Sequence, residues 1–301
     1  MNILFDIIPR HNLTLIDLCA TSYAMAFRLK AKNVKLFVNA ISTSIYHQVK
    51  GIVANSKFTI RDASFLYNQI IQRKDYNHYI ADHYDIYWTG YDCLFLDKFY
   101  ALHKSVSNDF IRSFLAAVMV EVMIKQSIFG KFNISTESYI TEKENLSKDK
   151  FLSITDDCKS KIKSGPEVTV FYKDIRDFIP IINTAGVVYY EVPIRNVFYD
   201  YHPIFDIFEN YGKGHFKDNK LHISQEMEQQ ADRCAYRGDR FIKYWASLLP
   251  SLLKIDFERL VFKTNHKMDI EKDWLRDKLS SYGPTNFKDD YMVLRKTLIT
   301  K

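Results

Sequence analysis

Short apolar runs and helix-period segments alternate along the first quarter of the chain. Leu13 to Leu18 is apolar and ends in polar and small residues, Tyr23 to Lys30 repeats its apolar positions at helical spacing, and Val34 to Val38 is a second apolar run. Strand, helix and strand are expected in that order. A parallel pair joined in this way holds ligands beyond the carboxyl ends of its strands, here near Cys19 to Tyr23 and Asn39 to Ala40. A further helix follows over Ser44 to Asn55, which closes a first region of residues 1–61.

From Asp62 to Phe132 the spacing is that of long helices, with Ser107 or Asn108 placed to cap an apolar helix that runs through Met123. Residues 62–132 are expected to form a helical insertion. Asn133 to Pro166 is polar and lysine-rich and reads as a loop or linker, the most mobile part of the chain. Strand-like runs resume in 167–301, at Glu167 to Tyr172, Gly186 to Tyr190 and Arg259 to Lys263, with a helical stretch over Ser224 to Leu249. The class is α/β, without internal repeats or low-complexity tracts.

Composition narrows the function classes only slightly. Of 301 residues, 47% are hydrophobic and 15% aromatic, enough for a sizeable core. The net charge of +6 suits a polyanionic partner, but the basic residues are dispersed rather than run together. Cys19, Cys93, Cys158 and Cys234 are too far apart for zinc-ligand spacing or a disulfide framework, so a reducing, cytoplasmic setting is expected. Met1 to Pro9 is apolar but lacks a basic leader and a small-residue cleavage site, and Phe114 to Met123 is too short to span a bilayer and carries Glu121. No membrane partner is expected.

Four segments in this order carry a family resemblance. Asp17-Leu18-Cys19-Ala20-Thr21-Ser22-Tyr23 follows the first strand, and Lys35-Leu36-Phe37-Val38-Asn39-Ala40-Ile41 forms the second. Val187 to Ile194 is a strand running into a polar turn, continued by Tyr199-Asp200-Tyr201-His202. Phe95 to Phe132, ending in Ile124-Lys125-Gln126-Ser127-Ile128-Phe129-Gly130-Lys131-Phe132, is the helical stretch. Together they resemble the Dam-like class of adenine-specific DNA methyltransferases found in restriction-modification systems. The resemblance implies a Rossmann-like class I methyltransferase fold with a helical, DNA-facing insertion.

What the resemblance implies about chemistry is chiefly loss. The family's first loop is glycine-rich so that backbone can approach S-adenosylmethionine, whereas Thr21 and Tyr23 put side chains there. Tyr23 reads either as a plug in that space or as an ordinary core aromatic. The family's acid after the second strand accepts ribose hydroxyls; Ala40 cannot, and Asn39 is a partial substitute. In place of the catalytic Asp-Pro-Pro-Tyr loop stands Glu191-Val192-Pro193-Ile194, with one carboxylate, one proline and no aromatic to stack on a flipped base. The family's N-terminal lysine-glycine motif has no counterpart before Leu4.

No cofactor, no catalytic residue and no metal are therefore expected. Glu191 reads more simply as a strand-end acid, solvated or paired with Arg195. Asp174 with Glu191 suggests a metal nuclease but lacks the following lysine, and His78, Asp82 and His83 offer possible metal ligands, but the two histidines, five apart, fall on different faces of a helix. Lys98, Lys104, Arg112, Lys125 and Lys131, with His103, lie on or beside the helical insertion and are candidates for phosphate contact or for a merely solvated face.

The expected function is a catalytically inactive methyltransferase homologue that binds DNA or a protein partner, the latter an active methyltransferase, a nuclease or another copy of itself. The alternatives are an active, diverged S-adenosylmethionine-dependent adenine DNA methyltransferase using Glu191 with Tyr189, Tyr190 or Phe198, and a structural or regulatory protein without nucleic-acid binding.

Overall fold

The computed structural model describes residues 13–56, 60, 62–127, 144–192, 202–211, 216–217, 220–221, 239–264, 268–288 and 290–296. The chain divides into two compact units, one of residues 1–41, 165–194 and 229–301, the other of residues 42–164 and 195–228. Among the described residues no helix is long and apolar enough to cross a membrane.

The first unit is built on a seven-stranded sheet. Its strands are β1 (Thr14–Ala20), β2 (Lys35–Ala40), β3 (Val168–Phe171), β4 (Thr184–Glu191), β5 (Asp256–Lys263), β6 (Thr285–Lys288) and β7 (Tyr291–Arg295). They lie in the order β3-β2-β1-β4-β5-β7-β6. The first five run parallel, and β7 is antiparallel to both of its neighbours. This is an α/β unit with a mostly parallel sheet, compatible with a Rossmann-like fold, whose first five strands follow the doubly-wound order 3-2-1-4-5.

Local chemistry accounts for these elements. Leu15 to Ala20 are all buried, as a central parallel strand requires, which is why β1 reads as an apolar run interrupted only by Asp17. Helix α1 (Ala24–Lys30) links β1 to β2, and the chain leaves it through Asn33 at φ 62°, a left-handed conformation that asparagine tolerates. On β4 and β5 the register partners Tyr190 and Phe262 both meet Trp245, at ring distances of 4.5 and 4.9 Å. Trp245 belongs to a helix over Asp239–Leu252, whose buried Phe241, Trp245, Leu248, Leu249 and Leu252 form one stripe at helical spacing. The earlier part of the stretch expected to be helical from Ser224 lies outside the described residues. Side chains alternate along a strand, so Tyr189 and Glu191 belong to the face opposite Tyr190.

The second unit is helical. Helix α2 (Thr43–Gln48) is capped by Ser42, whose hydroxyl accepts from the Ile45 N–H at 3.3 Å, and runs on directly into a π-helical segment, Val49–Ala54. Helices α3 (Ala63–Gln72), α4 (Tyr79–His83), α5 (Gly90–Ser105) and α6 (Asp109–Gln126) follow. The cap expected at Asn108 is present: its side-chain oxygen accepts from the N–H groups of Phe110 and Ile111, each at 3.1 Å. Residues 113–120 of α6 are all buried, which marks it as the central helix.

One expectation needs correcting. The polar stretch 133–166 contains a helix, α7 (Lys148–Ser160), capped by Ser147. Its apolar stripe is only Phe151, Ile154, Thr155 and Cys158, but those four are buried, and Phe151 joins a ring cluster with Tyr67, Phe95 and Phe99. A narrow stripe at i, i+3, i+4 and i+7 suffices when the opposite face is solvated. Helix α9, named for its place after a short helix α8 (Ile175–Phe178) in the first unit, spans His202–Asn210 and packs on α2. A two-residue hairpin, Phe216–Lys217 with Lys220–Leu221, completes the described part of this unit.

Candidate functional site

The carboxyl ends of β1, β4 and β5 bring together Asp17, Tyr189, Glu191 and Lys263. Asp17 pairs in register with Tyr189, and Glu191 with Lys263, so the two rows sit one step apart at the strand ends. Lys263 in turn pairs with Tyr291 on β7.

Glu191 is fully engaged. Its Oε1 accepts from the Lys263 ammonium at 2.5 Å and its Oε2 from the Tyr189 hydroxyl at 3.2 Å. Burial works against the Lys263 ammonium, yet the Glu191 carboxylate outweighs it and holds the lysine above its ordinary value. The Tyr189 phenol is raised by burial and then by the charge of Glu191, so it remains a donor to that carboxylate. Glu191 thus has a lysine partner from the adjacent strand; Arg195, the partner anticipated from sequence, lies outside the described residues, as do Pro193 and Ile194. Val192 is buried, its N–H donating to the Lys263 carbonyl at 2.9 Å.

Asp17 is almost wholly buried. Its carboxyl is pushed up to about 8 by that burial, which the Cys19 N–H at 3.1 Å only partly offsets and the nearby Glu191 charge reinforces. At neutral pH it is mostly the uncharged acid.

The loop after β1 does not fit a cofactor that needs close backbone approach. Thr21 and Tyr23 are half-buried and Ser22 is exposed, and Tyr23 precedes α1 at φ −77° without a side-chain cap bond. Among the described residues only Asn33 and Gly283 have positive φ, so this turn is made without the conformation that glycine would supply. Tyr23 is therefore not a fully packed core aromatic.

Asn39 is committed elsewhere. Its amide nitrogen donates to the carbonyls of Leu18, at 3.2 Å, and Lys173, at 2.9 Å, while its oxygen accepts from the Lys173 N–H at 3.0 Å. Both amide hydrogens tie β1 and the end of β3 to β2, and the oxygen that could accept a ribose hydroxyl already accepts from the Lys173 N–H. Ala40 is buried opposite Ala20, and the Ile41 N–H donates to the Ala20 carbonyl at 3.1 Å. These residues do not fit S-adenosylmethionine.

Asp174 caps α8 and pairs with Arg176 at 2.9 Å; it follows β3, with β2 and β1 lying between that strand and β4. It is not brought to Glu191. His78 stacks on Tyr76 at 5.0 Å and His83 meets Tyr79 at 5.1 Å. Among the described residues no group of three or more His, Cys, Asp or Glu side chains is placed to hold a metal ion.

The described cationic candidates, Lys98, Lys104, Arg112 and Lys125, do not form one patch. Lys98 donates to the Ile71 carbonyl at 3.0 Å, and Lys125 lies 3.8 Å from Asp157 at the far end of α6. Lys131 lies outside the described residues. Lys104 and Arg112 gather where α5 turns into α6, and there the structure adds Lys50 and His47, which sequence reasoning did not single out. Lys50 pairs with Asp109, and Arg112 pairs with the same carboxylate at 2.6 Å. Helical spacing alone carried a signal for Lys50, one turn after Tyr46, whose hydroxyl accepts from it at 2.7 Å.

No protein-family model matches the chain, and no curated protein is similar enough to mark a relative.

Proposed function

We propose that this protein is a catalytically inactive homologue of the Dam-like adenine-specific DNA methyltransferases, retained as a DNA-binding or partner-binding subunit. The observation that carries the reading is the state of Glu191. At the end of the fourth strand, where the family keeps the carboxylate that accepts the adenine amine, both oxygens are already satisfied by Lys263 and Tyr189. A target amine would have to compete with an ammonium and a phenol for that carboxylate.

Three further features support it. The sheet order, with a reversed seventh strand inserted between the fifth and sixth, resembles that of class I methyltransferases. The turn after β1 carries Thr21 and Tyr23 without a left-handed residue, and Asn39 spends its amide on the sheet itself. Preorganised contacts to donor and target base are absent together from these positions, and transfer depends on all of them acting at once.

Calorimetric titration with S-adenosylmethionine is expected to give no saturable heat, and incubation with a radiolabelled donor no label on duplex DNA. Saturable micromolar binding, or label on the oligonucleotide, refutes the inactive reading in favour of a diverged enzyme. Duplex binding measured against salt tests the other half: affinity should fall linearly on a logarithmic plot, and a flat response leaves a structural or regulatory protein.

A further inference from the structure

The corner of the helical unit between α5 and α6 concentrates positive charge. Lys104 lies in the last turn of α5, Arg112 in the first turn of α6, and Lys50 comes from the π-helical segment. Asp109 holds Lys50 and Arg112 together, and the Lys50 ammonium lies 5.1 Å from the Tyr46 ring and 5.8 Å from that of Phe110. Lys104 sits 5.4 Å over Tyr100.

Packed against these elements are two buried histidines, His47 of α2 and His103 of α5, with rings 5.3 Å apart. The Ser113 hydroxyl lies 3.1 Å from Nδ1 of His47, and Phe208 of α9 contacts both rings. Lys104 and Arg112 act on both histidines, and the Asp109 carboxylate acts on His47. Glu209 of α9 acts instead on Tyr100 and accepts from the Thr43 N–H at 2.8 Å. Three cations thus meet at this corner, two of them sharing the Asp109 carboxylate, beside a buried pair of neutral histidines. Phe110 is 46% exposed at its edge, flanked by exposed Ser107 and Asn108.

We infer that this corner is a docking surface for the backbone of a DNA duplex, in which Lys104 and Arg112 meet phosphates, Lys50 holds Asp109 and Arg112 in place behind them, and the Phe110 ring lies against a sugar. The inference rests on the DNA-binding reading above and names its surface. An Arg112 guanidinium anchored by a carboxylate is held in place before binding, so little side-chain freedom is lost when phosphates arrive. An exposed ring beside the cations supplies an apolar face for the sugar without reading sequence. A single aromatic on a helical corner offers too little apolar area to seat in a bilayer.

The test uses the full chain and a labelled DNA duplex, with fluorescence anisotropy read across a salt series. The double variant Lys104→Ala/Arg112→Ala should bind at least tenfold more weakly at low salt, with the slope of log affinity against log salt reduced by about 2. Phe110→Ala should weaken binding without changing the slope. Lys98→Ala/Lys125→Ala, away from the corner, should stay within twofold of the unsubstituted protein, and circular dichroism of each variant reports whether the helices are intact. An unchanged slope in a folded Lys104→Ala/Arg112→Ala variant, or an equal loss from Lys98→Ala/Lys125→Ala, overturns the inference while leaving DNA binding in place. If the unsubstituted protein binds no duplex, the DNA-binding reading and this surface fall together. Equal, Lys104- and Arg112-dependent binding to phosphatidylserine vesicles would instead assign the corner to an anionic membrane.

Discussion

Glu191 and Lys263 face each other as register partners on adjacent parallel strands, their side chains joined at 2.5 Å. The pair is about one-third exposed, so water screens it, but the Tyr189 hydroxyl fixes the other carboxylate oxygen and limits the freedom lost in forming it. In a double-mutant cycle of Glu191→Gln and Lys263→Met, urea denaturation should return a coupling of about 1 kcal/mol. A coupling of zero would mean that the carboxylate is solvated and available to a ligand.

An acid in place of Asn39 should not be tolerated. Asn39 donates to two buried carbonyls, those of Leu18 and Lys173, and an aspartate there would point lone pairs at both. Asn39→Ala should cost about 2–3 kcal/mol through the partners left unsatisfied, and Asn39→Asp more than that at neutral pH. Comparable stability for Asn39→Asp and the unsubstituted chain would disprove the clamp and reopen a ribose site.

Asp17 makes a pH prediction with a definite sign. The folded carboxyl titrates at about 8 and the ordinary one at 3.8, so below 3.8 the group has no effect on the folding equilibrium. As pH rises from there to about 8, only the unfolded chain releases the proton, and stability is lost across that window. Asp17→Asn keeps an oxygen for the Cys19 N–H and abolishes the titration. Its midpoint of denaturation should therefore pull ahead of the unsubstituted protein's between pH 4 and 8, by a few kcal/mol at the upper end, since each unit is worth about 1.4 kcal/mol.

Gly51 tests the packing of the π-helical segment. A Cβ there would lie 2.5 Å from the Ser113 carbonyl and from the Phe114 nitrogen, all backbone atoms of α6 that cannot rotate away. Gly51→Ala should cost at least about 2 kcal/mol in chemical denaturation, the usual scale of overpacking. A neutral result would show that the two helices can part without penalty.

How far the sequence speaks depends on how local the determining physics is. Strands β1, β2 and β4 announce themselves because a central parallel strand is buried on both faces and so is mainly apolar, as Leu15 to Ala20 are but for Asp17, and the Asn108 cap is legible because cap and helix are adjacent. The edge strand β6 is not marked, since Thr-Asn-Phe-Lys is short and three of its four residues are polar. Helix α7 is masked by its charged face. At the crevice, Glu191 and the loss of glycine at Thr21 to Tyr23 were readable, but Lys263 was not. Its meeting with Glu191 depends on which strands are neighbours, 72 residues apart in the chain. The convergence of Lys50, Lys104 and Arg112 is non-local for the same reason.

His103 gives the sharpest test of the helical unit. It is 1% exposed, and among the described residues neither ring nitrogen has a well-formed hydrogen bond, although the Tyr100 backbone acts on the ring and opposes the lowering. Burial lowers it from 6.5 to about 3, and burial likewise lowers His47 to about 4, with Lys104 and Arg112 acting on both in the same direction. Both rings are therefore neutral in the folded protein at pH values well above 4. Above 6.5 their contribution is complete; as pH falls through 6.5 the unfolded chain takes up protons that the folded one cannot, and stability drains away down to about 4 for His47 and about 3 for His103. His103→Leu removes two unsatisfied polar atoms and one of the two titrations. It should stabilise the protein by about 1 kcal/mol at pH 7 and by more at pH 5, flattening the acid limb of the stability profile. His47→Leu should also flatten that limb but lose stability at pH 7, because it strands the buried Ser113 hydroxyl. If His103→Leu destabilises at both pH values, the imidazole has a partner that burial alone conceals.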